Sequence, residues 1–200
     1  MLITKDISAI ISLVASRMDA AIAYPTETFY GLGARIADAA GIARIIRAKG
    51  RDAAKGMIVL AADMAMAASL AEIDARMQVM LERFWPGPLS AILKANPGIH
   101  PLLCVDGKIS LRISSHALAN ALCRELGPIT STSVNPSGMP PARTVAEVLQ
   151  YDLDIDAVLD GAETPGGAPS TVIDLTSDPP VCIRAGAIPW DDILGLITKT

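Results

Sequence analysis

Short apolar runs closed by proline, glycine or an acid alternate along this chain with segments whose apolar residues recur every three or four positions. That alternation restricts the fold to helices packed on a sheet. Residues 3–17 carry Ile7, Ile10, Ile11 and Val14 at helical spacing, and the apolar run 20–24 reads as a buried strand ending at Pro25. Asp38 suits the N-cap of a helix bearing Ile42, Ile45 and Ile46, and Gly50 suits its end, so Lys49 and Arg51 emerge where that helix stops. Further strands are predicted at 57–60, 89–93, 109–113, 129–133, 157–159, 171–175 and 181–184. Helices are predicted at 64–70, 75–84 and 116–126, the last capped by Ser115 and stopped by Gly127-Pro128. The elements lack the even rhythm of a barrel. The expectation is one α/β domain over residues 1–200, a twisted, mixed, open sheet flanked by helices, with no linker or repeat.

A chain of 200 residues buries roughly 70% of its unfolded surface, enough for a core without disulfide or structural metal. Hydrophobic residues at 51% and charged residues at 19% exclude intrinsic disorder. Cys104, Cys123 and Cys182 form no CxxC pair and are odd in number, which fits a reducing cytoplasm. Asp6 interrupts the apolar start of the chain, and Asp63 and Glu72 break its greasiest run, so neither export nor membrane insertion is expected. Net charge of −4 and 4% aromatics disfavour a free-standing RNA binder, which needs cations for the backbone and rings for the bases.

The common nucleotide motifs fail on inspection. Gly31-Leu-Gly33 follows a strand, but Ile36 stands where a dinucleotide fingerprint needs its third glycine. Gly166-Gly167 lacks the lysine of a phosphate-binding P-loop. His100 and His116 make no metal-ligand spacing and read as structural, and Ser137-Gly138 has no nearby histidine to activate it.

Cations are nevertheless concentrated locally. Arg35, Arg44, Arg47, Lys49, Arg51 and Lys55 are six of the 17 basic residues. The cluster can hold one phosphate chain, with a solvated helix face as the competing reading for Arg44 and Arg47. Lys49, Arg51 and Lys55 combine the rigid fork of guanidinium with the mobile point charge of ammonium, which is what a polyphosphate asks of a protein. Ser133 and Asn135 leave a strand end and can donate to phosphate or carboxylate oxygens; alternatively, Asn135 merely stabilises a turn before Pro136.

Six segments in order, Tyr24-Pro-Thr-Glu-Thr-Phe-Tyr-Gly-Leu-Gly33, Lys49-Gly-Arg51, Trp85-Pro-Gly-Pro88, Thr132-Ser-Val-Asn-Pro-Ser-Gly138, Pro169-Ser-Thr-Val-Ile-Asp-Leu175 and Arg184-Ala-Gly186, resemble the motif series of the YrdC-like family. Members with both Lys-x-Arg and Ser-x-Asn are L-threonylcarbamoyladenylate synthases. The resemblance, to the short bacterial type, therefore implies a nucleotidyltransferase that joins L-threonine, bicarbonate or CO2, and ATP, and releases pyrophosphate. It implies Lys49 and Arg51 as catalytic residues, Lys49, Arg51, Lys55, Asn135, Arg143 and Arg184 as the ATP site, and Thr28, Arg112, Ser133 and Ser170 as the threonine site. Mg2+ is expected to arrive with the nucleotide, without a metal cage of its own. The product is expected to pass to a separate tRNA threonylcarbamoyltransferase complex for tRNA modification, leaving room for a weak RNA contact.

The chain departs from the family pattern at Asp52, often proline, at Val134, commonly alanine, and at Leu60, where some longer relatives use a histidine near threonine. Those relatives also carry an extra C-terminal domain, for which this chain is too short, so any lid is expected from its own loops or a partner. Two other readings compete: a YrdC-like RNA-binding or ribosome-associated module without synthase activity, and a carbamoyl-transferring domain of hydrogenase maturation. The second is disfavoured because the zinc-finger-like cysteine clusters and acylphosphatase segment of those proteins are missing.

Overall fold

The computed structural model of the chain describes residues 1–50 and 56–197. In chain order the elements are β1 (Leu2–Thr4), α1 (Ile7–Ala15), β2 (Ile22–Tyr24), β3 (Gly31–Gly33), α2 (Ala39–Ala48), β4 (Ile58–Ala61), α3 (Met64–Leu70), α4 (Ala75–Leu81) and β5 (Leu89–Lys94). There follow β6 (Cys104–Val105), β7 (Lys108–Ile113), α5 (Ala117–Leu126), β8 (Ile129–Ser133), α6 (Val145–Gln150), β9 (Ala157–Leu159), β10 (Thr171–Asp174), β11 (Val181–Arg184) and α7 (Trp190–Ile197). Hydrogen bonds join the strands in the order β1-β9-β2-β3-β8-β4-β7-β5-β10-β11, with β6 along the start of β7. Pairing is mixed: β4 runs parallel to β7 and antiparallel to β8, and β10 runs parallel to β5 and antiparallel to β11. The open mixed α/β sheet expected from the sequence is the architecture that forms.

Strands β2, β4 and β9 read as continuous apolar runs because both faces of the sheet are covered there. Successive side chains point to opposite faces, so Ile22 and Tyr24, Leu60 and Ala62, and Ala157 and Leu159 enter one core, where Ile10 and Val14 of α1 and Ala119, Leu122 and Cys123 of α5 close over them. Their alternates Ala21 and Ala23, Val59 and Ala61, and Val158 enter the other, with Ile42 and Ile45 of α2 and Leu70 of α3. Truncating one of these fully buried side chains, Leu122→Ala for instance, costs about 2–5 kcal/mol.

Several local expectations are corrected. The apolar start is divided: Leu2–Thr4 pairs in parallel with β9, and the helix begins only at Ile7, where Asp6 accepts from the Ser8 amide. Gly31-Leu-Gly33, where the sequence predicts no strand, is itself a strand. A Cβ on Gly33 would stand 2.9 Å from Cε1 of Tyr24, and one on Gly31 3.2 Å from its Cε2, so the two glycines form a slot for that buried ring. Ser115 does not cap α5; His116 is the cap residue, and the Ser114 hydroxyl accepts its amide. Asp38 stands at the start of α2 without a side-chain cap bond, because its carboxylate is taken by Arg35 at 2.7 Å. Arg44 neither joins a phosphate cluster nor lies solvated on a helix face. It bonds Asp154 and Asp156, each at 2.6 Å, fastening α2 beside the start of β9.

Candidate active site

A cavity of about 580 Å3 opens where β3, β4, β7, β8, β10 and β11 come together. Thr28 reaches it from the loop between β2 and β3, Arg112 from β7, Ser133 from the end of β8, Ser170 from the residue before β10, and Arg184 from the end of β11. Half of the ten residues nominated from the sequence therefore share one lining, although 156 positions separate the first from the last. Apolar side chains such as Ile58, Ile92, Leu103 and Val172 supply the rest of the wall, the usual make-up of a small-molecule site with a few placed polar groups.

The polar groups are held from behind. Arg184 donates through Nη2 to the Ser170 carbonyl at 2.7 Å and to its hydroxyl at 3.0 Å, and Ser170 Oγ meets Ser90 Oγ at 3.0 Å. Close packing of Gly186 on residues 169–171 makes this possible: a Cβ there would lie 2.5 Å from the Ser170 carbonyl carbon. Thr28 and Thr26 share a hydrogen bond of 3.1 Å between hydroxyls. Arg112 is buried and meets Glu27 at 3.3 Å. Arg112 Nε, Ser110 Oγ and Glu27 Oε1 are buried with no hydrogen-bond partner among the described residues. Buried polar atoms are normally paired, so the region around Arg112 has capacity left for a polar ligand.

The remaining nominated residues are arranged differently. Lys49 does not reach past the end of α2; it is buried, and its ammonium donates to the carbonyl of Ser133, to that of Asn135 at 2.6 Å and to Asn135 Oδ1 at 3.4 Å. Asn135 in turn donates from Nδ2 to the carbonyls of Pro136 at 3.0 Å and Met139 at 2.6 Å, the turn-stabilising geometry. Both lie just outside the cavity lining. Arg143 also lies outside it, paired with Glu163 at 2.6 Å and packed against Gly166. Arg51, Asp52 and Lys55 fall outside the described residues. Leu60 is wholly buried in the core beneath α5 and does not line the cavity, and Val134 is likewise a core residue.

Sequence reasoning missed Lys108 and Asp174, which form an ion pair of 2.9 Å in the cavity lining. Burial raises the Asp174 pKa, but hydrogen bonds from Thr176 and Lys108 outweigh it and hold the carboxyl below its ordinary range. A lysine and an aspartate 66 positions apart give no local signal of pairing. Among the described residues, no group of three or more His, Cys, Asp and Glu gathers to hold a metal ion. His100 accepts the Leu102 amide at a turn, and all three cysteines are free thiols. No helix among the described residues is long and apolar enough to cross a membrane.

The Sua5/YciO/YrdC family model, described as telomere recombination, matches residues 15–186. The chain belongs to this family. A member named threonylcarbamoyl-AMP synthase from Chromohalobacter salexigens is 39% identical over 169 residues, covering 83% of this chain and 91% of that protein. One of the same name from Pyrococcus abyssi is 38% identical over 178 residues, covering 86% of this chain, which spans 52% of that longer protein. The crystal structure of P. abyssi Sua5 complexed with L-threonine superposes with a TM-score of 0.91 at 33% identity, over 98% of this chain and 61% of that one.

Proposed function

We propose that this chain is an L-threonylcarbamoyladenylate synthase, a cytoplasmic nucleotidyltransferase that converts L-threonine, bicarbonate or CO2, and ATP to threonylcarbamoyl-AMP and pyrophosphate. The observation that carries the reading is the convergence of Thr28, Arg112, Ser133, Ser170 and Arg184 on one cavity. The names of its relatives and the threonine-bound Sua5 structure agree with it.

In this reading Arg112 forks onto the threonine carboxylate, while Thr28, Ser133 and Ser170 take its ammonium and hydroxyl. A site built of such partners rejects an amino acid lacking the hydroxyl far better than an apolar pocket does. Arg184, with Arg51, Lys55, Asn135 and Arg143, holds the nucleotide. Lys49 already lies against Ser133 and Asn135 and reaches phosphate by exchanging carbonyl oxygens for phosphate oxygens. Each charge-assisted hydrogen bond contributes about 1.5–3 kcal/mol. The threonine amine takes up CO2 as a carbamate, whose oxygen attacks the α-phosphorus as the bond to pyrophosphate breaks; Lys49 and Arg51 neutralise the departing charge. Mg2+ bound to the nucleotide supplies further charge neutralisation. The product goes to a tRNA threonylcarbamoyltransferase complex.

The test is pyrophosphate release from ATP with threonine and bicarbonate supplied singly and together. Release only with both is expected. Release indifferent to either co-substrate rejects the reading, and tight RNA binding with a steep salt dependence and no pyrophosphate favours a non-catalytic RNA module.

A further inference from the structure

Glu27 lies in the loop between β2 and β3, one side chain behind the cavity wall, and is not part of the lining. Its Oε2 accepts from Arg112 Nη2 at 3.3 Å and from the hydroxyl of Ser114. The two side chains are 5% and 13% exposed, so little water competes for this contact. Ser114 is itself fixed, since its oxygen also accepts the His116 amide at 3.2 Å where α5 begins. A chain of contacts thus runs from the backbone of α5 through Ser114 and Glu27 to the guanidinium in the cavity.

We propose that Glu27 is the positioning residue for Arg112, holding the guanidinium so that its remaining donors meet the carboxylate of the amino acid substrate. This rests on the reading of Arg112 as the carboxylate anchor. The opposite role is also physically available: Glu27 could compete with the substrate for Arg112, and its removal would then tighten binding. Geometry decides between them. A carboxylate that consumes an arginine's fork does so through two parallel bonds of about 2.7–2.9 Å. Glu27 makes one contact at 3.3 Å to a single nitrogen, and Nε has no partner among the described residues. Four of the five guanidinium N–H donors have no hydrogen-bond partner among the described residues, and fixing their direction beforehand removes an ordering cost from binding.

The experiment is calorimetric titration of L-threonine, and separately of ATP, into the wild-type chain and the Glu27→Gln, Glu27→Ala and Arg112→Ala variants, alongside steady-state kinetics. Glu27→Ala is expected to weaken threonine binding about tenfold or more. Glu27→Gln, which keeps the length and an oxygen for Nη2, should weaken it less. ATP affinity should hold in both, and KM for threonine should rise with kcat nearly unchanged; a merely structural role would not split these constants. Threonine affinity equal to or tighter than wild type in Glu27→Gln, with binding lost in Arg112→Ala, overturns the positioning role and leaves the amino acid site intact. Failure of the wild-type chain to bind threonine at all overturns the functional reading beneath it. Should Glu27→Ala not fold, the glutamine variant decides alone.

Discussion

The ammonium of Lys49 donates to the backbone carbonyl of Asn135 at 2.6 Å, 86 positions further along the chain. A cation held against carbonyl oxygens does two things at once: it neutralises the partial negative charge at the end of β8, and it fixes the loop that follows. The residue nominated for phosphate chemistry is also a brace for Ser133 and Asn135.

Lys49→Met is therefore expected to lower stability as well as turnover. The buried Asn135 carbonyl loses this donor, at about 1–3 kcal/mol where water cannot replace it, while the partly buried Ser133 carbonyl keeps the Asn135 amide at 3.1 Å. Urea unfolding should show an earlier midpoint, and pyrophosphate release should vanish. Lost turnover with an unmoved midpoint would show that the carbonyls do not hold the ammonium in solution.

Ser133 gives the contrasting case, because its side chain is exposed and lines the cavity. Ser133→Ala should leave the unfolding midpoint where it is and weaken threonine binding roughly fivefold to tenfold, the loss of about one hydrogen bond. Wild-type affinity would mean that this hydroxyl does not touch the substrate.

Gly186→Ala probes the support of Arg184. The added carbon would press on the backbone of residues 169–171, lying 2.5 Å from the Ser170 carbonyl carbon, so the segments must part. Overpacking of this kind costs about 1–3 kcal/mol. The expected result is a less stable protein with weakened affinity for both ATP and threonine, since Arg184 and Ser170 move apart.

Stability should fall in alkali. Burial pushes the Cys123 thiol up to about 12 from its ordinary 9.0. Between those values the unfolded chain has lost the proton and the folded chain has kept it, so the contribution is intact below pH 9 and is lost progressively toward pH 12. Burial raises the Tyr24 phenol in the same sense. Denaturant unfolding of Cys123→Ala across this interval should show a shallower decline than wild type; parallel curves would show that the thiol is not protected.

Segments with strong periodicity were legible in advance. The strands at 129–133, 157–159 and 181–184 and helix α3 fall where apolar spacing sets them. Strand β3 was not, because Gly31 and Gly33 have no side chains to alternate; their meaning appears only when the Tyr24 ring occupies the space they leave. Helix α6 was missed although its signal was present. Thr144 accepts the Glu147 amide while the Glu147 carboxylate accepts the Arg143 amide, the Thr-x-x-Glu spacing of a variant capping box. In the site, the family resemblance nominated ten residues, of which Thr28, Arg112, Ser133, Ser170 and Arg184 line the cavity and Lys49, Asn135 and Arg143 do not. The inward turn of Lys49 and the Lys108–Asp174 and Glu27–Arg112 pairs depend on contacts between distant strands and loops, which no local spacing encodes.

Ser170 and Arg184 complete a cavity whose other wall begins at Thr28. Translation delivers these groups in order, so Thr28, Arg112 and Ser133 are made before the strands that bring Ser170 and Arg184 to the cavity. In the proposed function, a substrate therefore meets a complete wall only once β10 lies beside β5 and β11 beside β10.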